Sequence, residues 1–222
     1  MKTLSATLTS AQKARDNHPL GKVVLVKAST RYAYSTENDR LLEVSRTEEG
    51  INHKADIHLN NYDGGLTSID FRGYTATLHR GFRTGVVRTA WAANTAYAVD
   101  DVRIPTTANG YQYRCSVAGT SADPTEPTWP TTLGAIVTDN TVTWEMDGDS
   151  GDEYSYVDPL LVIAPNMLSS PRPGGIRVIY SAAGTGNQMA NDEASADYFP
   201  PSTNTDTIKT IINAIMGATL AC

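Results

Sequence analysis

Trp129, Tyr111 and Tyr113 have the side chains best suited to recognition chemistry. A flat indole in a loop between Thr128 and Pro130, with two phenols on one side of a single strand, can stack on a sugar ring. The same three rings can instead pack a small domain, in which large aromatics dominate the burial available. A second cluster is acidic. Asp147, Asp149, Asp152 and Asp158 approach the spacing of a calcium loop, but Asp152 stands at the position that requires glycine and the last ligand is a short Asp. A solvated acidic linker accounts for that run better. Asp56 and His58 fall on the polar side of one strand with His53 nearby, and two imidazoles without further spaced ligands do not make a metal site. No metal and no cofactor is expected. The chain has no G-x-S-x-G, H-E-x-x-H or P-loop, and its nearest approach to a dinucleotide loop, Gly184-Thr185-Gly186, lacks the third glycine. Carboxylate pairs for glycoside cleavage meet only in the fold, and Asp147 or Glu153 are the acids such a hydrolase would draw on. The missing local signatures favour a protein that is not an enzyme.

The elements that must position these residues are almost all strands. Trp91 to Trp144 contains all three tryptophans together with Tyr97, Tyr111 and Tyr113, and it is poor in charge. Asn109-Gly110 marks a hairpin turn, and Gly119, Pro124, Pro127 and Pro130 break any helix, so the stretch reads as a small all-β unit. Trp91 and Trp144 are expected to close its ends. The polar sequence before it and the acidic run after it make it an insertion between two halves of a host domain. In the first half, Lys22 to Lys27 is apolar on both faces, as in a buried strand, and Ala55, Ile57 and Leu59 alternate with polar residues at the period of a half-buried one. Shorter strands are expected at Arg31 to Tyr34 and Leu41 to Val44, with a pair at Ser68 to Phe71 and Tyr74 to His79. In the second half, Tyr154 to Pro165 is apolar but interrupted by Pro159, and Ile176, Val178 and Tyr180 alternate. Helix is expected in two places. One short piece runs around Leu8 to Ala14, in an arm that clamps onto the domain or stays mobile. The other follows Asp206 as cap, with Ile208, Ile211, Ile212 and Ile215 on one face and Gly217 after it.

These readings divide the chain into an N-terminal arm (1–21), a first host part (22–88), the inserted β module (89–146), a second host part (147–203) and a C-terminal amphipathic helix (204–222). The expected class is mainly β, with a discontinuous β-barrel or sandwich as host. The apolar helix face needs a partner surface, either the β domain or further chain beyond Cys222. A net charge of -6 with scattered Lys and Arg argues against nucleic acid or an anionic membrane as partner. No signal sequence or uncharged membrane-length run is present, which predicts synthesis in the cytoplasm and no membrane insertion. Cys115 and Cys222 are the only cysteines and are read as small apolar residues.

The pattern W-x5-Y-x2-D-D-V, N-G-Y-x-Y-R-C, A-G-T-S, E-P-T-W-P and T-D-N-T-V-T-W, covering Trp91 to Trp144, resembles a module common in virion proteins of tailed bacteriophages. Its first half, Trp91 to Tyr113, also looks like the small chitin-binding modules of bacterial chitinases. Where those carry exposed aromatics after the second Tyr strand, this chain has Val117, Ala118 and Gly119. The flanks resemble the N-terminal part of phage tail-hub or baseplate proteins, through K-V-V-L-V, D-I-H-L-N-N-Y-D-G, S-I-D-F-R-G-Y, D-P-L-L-V-I-A-P and T-I-K-T-I-I-N-A-I-M-G-A-T in that order. The resemblance implies a virion structural protein of the tail whose copies close into a ring with other tail proteins and so hide their sheet edges. The insert would then project as a decoration, with a cell-surface glycan as a further partner through Trp129, Tyr111 and Tyr113. The rival readings are a carbohydrate-binding protein or accessory module of a cell-wall-degrading enzyme, and a glycan hydrolase.

Overall fold

The computed structural model describes residues 4–38, 40–49, 52–156, 159–169 and 176–183. The expected C-terminal helix, Cys222, Asp158 and the Gly184-Thr185-Gly186 stretch lie outside them. The described chain is mainly β, with several antiparallel sheets and one short helix.

The helix, α1 (Ala6–Lys13), is capped by Ser5, whose hydroxyl accepts from the Leu8 amide at 3.0 Å. It buries Leu8, and its N-terminal end is held by Glu153, which accepts from the Ser5 hydroxyl at 2.5 Å and from that of Thr7 at 2.7 Å. The arm is therefore clamped. It is also shorter than expected, because β1 (Pro19–Lys27) begins at Pro19, before the boundary at residue 22.

The strands outside the insert form one antiparallel sheet. Along the chain these are β1, β2 (Thr30–Ser35), β3 (Leu41–Glu49), β4 (Asn52–Asn60), β5 (Thr75–Arg83), β12 (Asp152–Tyr156), β13 (Leu160–Ser169) and β14 (Ile176–Ala183). Their order in space is β2-β1-β5-β13-β14-β4-β3, with β12 paired beside β13 on β5. The path does not close into a barrel among the described residues; it ends on β2 and β3. Alternation selects the core: Val23, Leu25, Ile57, Leu59, Ala76, Leu78, Leu160 and Val162 converge from four strands on one face. Ser68 to Phe71 is not a strand. Residues 62–68 run through turns, and Leu66 and Phe71 drop into the core from this irregular segment, with Phe71 edge-on to Tyr32 and Tyr74.

The inserted segment makes its own sheets. The larger has the order β10-β11-β8-β7, from β7 (Val102–Arg103), β8 (Tyr111–Val117), β10 (Ile136–Asp139) and β11 (Val142–Asp149). The smaller pairs β6 (Ala96–Tyr97) with β9 (Gly119–Thr120). Asn109-Gly110 closes a longer β7–β8 connection than a two-residue hairpin, since Arg103 pairs with Tyr113. The boundary placed between residues 146 and 147 falls inside β11, so Asp147 and Asp149 belong to a strand of the insert.

Why β1 is apolar on both faces is now clear. Val23 and Leu25 face the core, whereas Lys22 and Val24 face the side on which the insert lies, and all four are buried. That approach is close. A Cβ on Gly134 of the insert would come within 2.4 Å of the Ala33 Cβ in β2, and Gly134 has φ +75°, a conformation costly for other residues. Gly134→Ala is expected to lose about 1–3 kcal/mol through overpacking and backbone strain, read as a lower urea midpoint.

Candidate functional site

The residues expected to recognise a glycan are drawn into the module's own core. Tyr113 has no exposed surface; its hydroxyl donates to the Pro130 carbonyl at 2.9 Å and accepts from Asn109 Nδ2 at 2.8 Å. Trp129 stacks against Tyr113 at 4.3 Å between centroids, meets Trp144 at 5.8 Å, and donates its indole N–H to Glu126 at 2.8 Å. Tyr113 thus offers no ring face to a ligand, because a domain this small needs its largest side chains inside. Trp129 and Tyr111 remain half-buried, packed on the edge of that core. Trp91 and Trp144, expected at the ends of the insert, are joined by a feature the aromatics alone do not show: both indole N–H groups donate to Asp139 Oδ2, at 2.8 and 3.1 Å. Cys115 is a buried free thiol in the same cluster, and burial raises its pKa.

The acidic run is not a solvated linker. Trp144 and Met146 of β11 face the module core, and the alternate residues Glu145 and Asp147 are buried against the large sheet. Asp147 accepts from Lys22 Nζ at 2.5 Å through Oδ1, its backbone carbonyl takes the same ammonium at 2.7 Å, and the two side chains are 4% and 0% exposed. Gln112 Nε2 donates to Asp147 Oδ2 at 3.2 Å. Arg114 spans both acids, 2.7 Å from Glu145 Oε2 and 3.5 Å from Asp147 Oδ1, and Arg31 of β2 reaches Glu145 from the sheet. Asp152 is buried too, paired with Arg83 at 2.9 Å, while Arg83 also holds Asp149 at 2.8 Å and Glu37 at 3.2 Å. The carboxyl of Asp147 is raised by burial but lowered more by Lys22, Arg114 and His79, so it lies well below the usual carboxylate range. An acid held that way does not serve as a proton donor near neutral pH. Glu153, the other acid of the hydrolase reading, is occupied by Ser5 and Thr7.

His79 lies at the middle of this junction. It pairs with Lys22 on one neighbouring strand and with Tyr156 on the other, so the three form a row across β1, β5 and β12 under the insert. The ring is 3% exposed, meets Tyr154 edge-on at 6.2 Å and Tyr156 at 5.5 Å, and its Nε2 has no hydrogen-bond partner. Burial first, then the Lys22 charge, push its pKa well below 6.5. A histidine depressed in the folded state binds its proton more readily when unfolded. The stability it contributes is fully present above about 6.5 and is lost as pH falls toward the folded value. Melting temperature is expected to fall as pH drops through that range, and His79→Phe is expected to flatten that fall.

Two cavities flank the junction. A cleft of about 870 Å³ lies between α1 and the strands β1, β3 and β5, lined by Leu8, Leu20, Leu41, Leu42, Leu78 and Phe82. A smaller one of about 250 Å³ lies against the insert, lined in part by His79, Arg88, Arg114, Tyr154 and Tyr156. His58, from the pair considered for a metal, lies 3.4 Å from Glu43, and among the described residues no group of three or more His, Cys, Asp or Glu could hold a metal ion.

Of these features, sequence reasoning found the aromatic module and missed the junction. Lys22 opens an apolar strand and His79 closes the strand from Tyr74, and a lysine and a histidine at those places are the available signal. No family model, curated protein or solved structure matches the chain.

Proposed function

We propose that this protein is a structural component of a bacteriophage tail, a hub or baseplate ring in the virion, that carries the insert as a projecting decoration or adhesion module. The observation that supports this reading best is the free edge of the large sheet. Strand β3 ends the sheet path among the described residues, Leu42 on it is 43% exposed, and the apolar cleft opens beside it. An edge strand next to an apolar cleft is what a neighbouring copy in a ring would cover. In this reading the host is a discontinuous barrel-like or sandwich domain built from β1 to β5 and β12 to β14 on either side of the insert, completed by the amphipathic helix expected at 204–222. The buried junction supports the same reading, because it holds the insert firmly enough to act as a fixed projection.

Light scattering on the purified chain, followed by negative-stain imaging, is the test. Rings of three or six copies are expected; a monomer with turnover activity would overturn the proposal. A glycan partner for the decoration rests on the half-exposed Trp129 and Tyr111. Glycan-array binding that is lost in Trp129→Ala is the expected result for that part, and binding unchanged by the substitution would remove it.

A further inference from the structure

The geometry points to a covalent modification within the junction: we propose that Lys22 and Asp147 condense to an amide bond that ties β1 to β11. Lys22 Nζ lies 2.5 Å from Asp147 Oδ1, an oxygen bonded to the carboxyl carbon it would attack. Both side chains are enclosed, at 0% and 4% exposure, with Asp147 bordering the smaller cavity. The Tyr154 ring covers the ammonium, 4.3 Å from Nζ.

The balance needs no outside reagent. An ammonium and a carboxylate, Lys–NH3⁺ and Asp–COO⁻, become Lys–NH–CO–Asp and one water, with no net change of charge and no oxidation. Nζ gives up one proton, its freed lone pair forms the bond to Cγ, one C–O bond breaks, and the departing oxygen leaves as water with two protons taken from Nζ. The protons pass directly along the hydrogen bond that Nζ donates to Oδ1, from the nitrogen to the leaving oxygen. Gln112 Nε2, 3.2 Å from Oδ2, and Arg114 Nε, 3.5 Å from Oδ1, face the oxygens on which negative charge grows when the carbon becomes tetrahedral.

Burial supplies the driving force. Two enclosed charges are costly where water is excluded, and a neutral amide of the same shape removes both. The rest of the junction balances without them, since Arg114 keeps Asp100 at 3.2 Å, Arg31 keeps Glu145, and Arg83 keeps Asp152. The bond would close a loop between residues 22 and 147, and the inference does not depend on the tail assignment.

The test is the mass of the intact full-length chain, folded, aged in neutral buffer and then denatured. It is expected to be lower than the sequence mass by one water, with Lys22 and Asp147 recovered in one joined pair of tryptic peptides and cleavage after Lys22 abolished. Lys22→Met is expected to restore the full mass, and Asp147→Asn to lose one ammonia in place of water. A wild-type mass equal to that of the sequence, with Lys22 cleaved normally, would overturn the proposal whatever the variants do.

Discussion

Asp147→Ala is expected to lower the unfolding free energy by about 3–5 kcal/mol, the usual loss when one member of a buried ion pair is removed. The reason is what remains behind. Lys22 is 0% exposed at its side chain and would keep its charge, or give it up at a cost, with no carboxylate within reach. Lys22→Met combined with Asp147→Leu is expected to recover most of that loss, because apolar side chains of similar size avoid the desolvation that the ion pair incurs. Urea titration of the single and double variants measures both values. A single variant within about 1 kcal/mol of the parent would mean that water reaches the pair and that the junction is looser than its geometry. These values refer to the uncondensed parent; the amide bond enlarges the difference between the condensed parent and every variant that lacks it, the double one included.

Trp144→Ala is expected to cost a similar amount, about 3–5 kcal/mol, for a different reason. Trp144 is fully buried between Tyr97, 4.8 Å away and edge-on, and Trp129, so truncation empties the centre of the module. The truncation also takes away one of the two indole donors on Asp139, whose carboxylate then keeps Trp91 and the Ala122 amide. Trp144→Phe keeps most of the volume and loses only that donor, so it is expected to cost less than half as much. Near-UV circular dichroism during thermal unfolding reads the module's aromatics directly. Trp129→Ala, at the half-exposed edge of the same cluster, is expected to shift the transition less than Trp144→Ala.

Local pattern carried a good deal of this fold. The alternation Ala55, Ile57, Leu59 became the buried face of β4, and the apolar Lys22 to Lys27 run became β1. The tryptophan-rich stretch became a set of sheets with its own core. Such signals are legible because a side-chain period of two and the turn residues around it are properties of consecutive residues. Ser68 to Phe71 was misread for the same reason. Its apolar residues enter the core from turns, and only the surrounding sheet makes that placement favourable.

By itself the sequence determined the strand-dominated class, an early helix around Leu8 to Ala14, and the gathering of three tryptophans and several tyrosines into one module. Only the tertiary structure decided what the polar residues do. Asp147 looks like surface acid, and Lys22 like the polar end of an apolar strand, until they meet across 125 residues in a buried site. The physical reason is that burial of a charge is settled by its partner and by what covers both. Neither is written within a few residues of the group itself, whereas backbone periodicity and capping are.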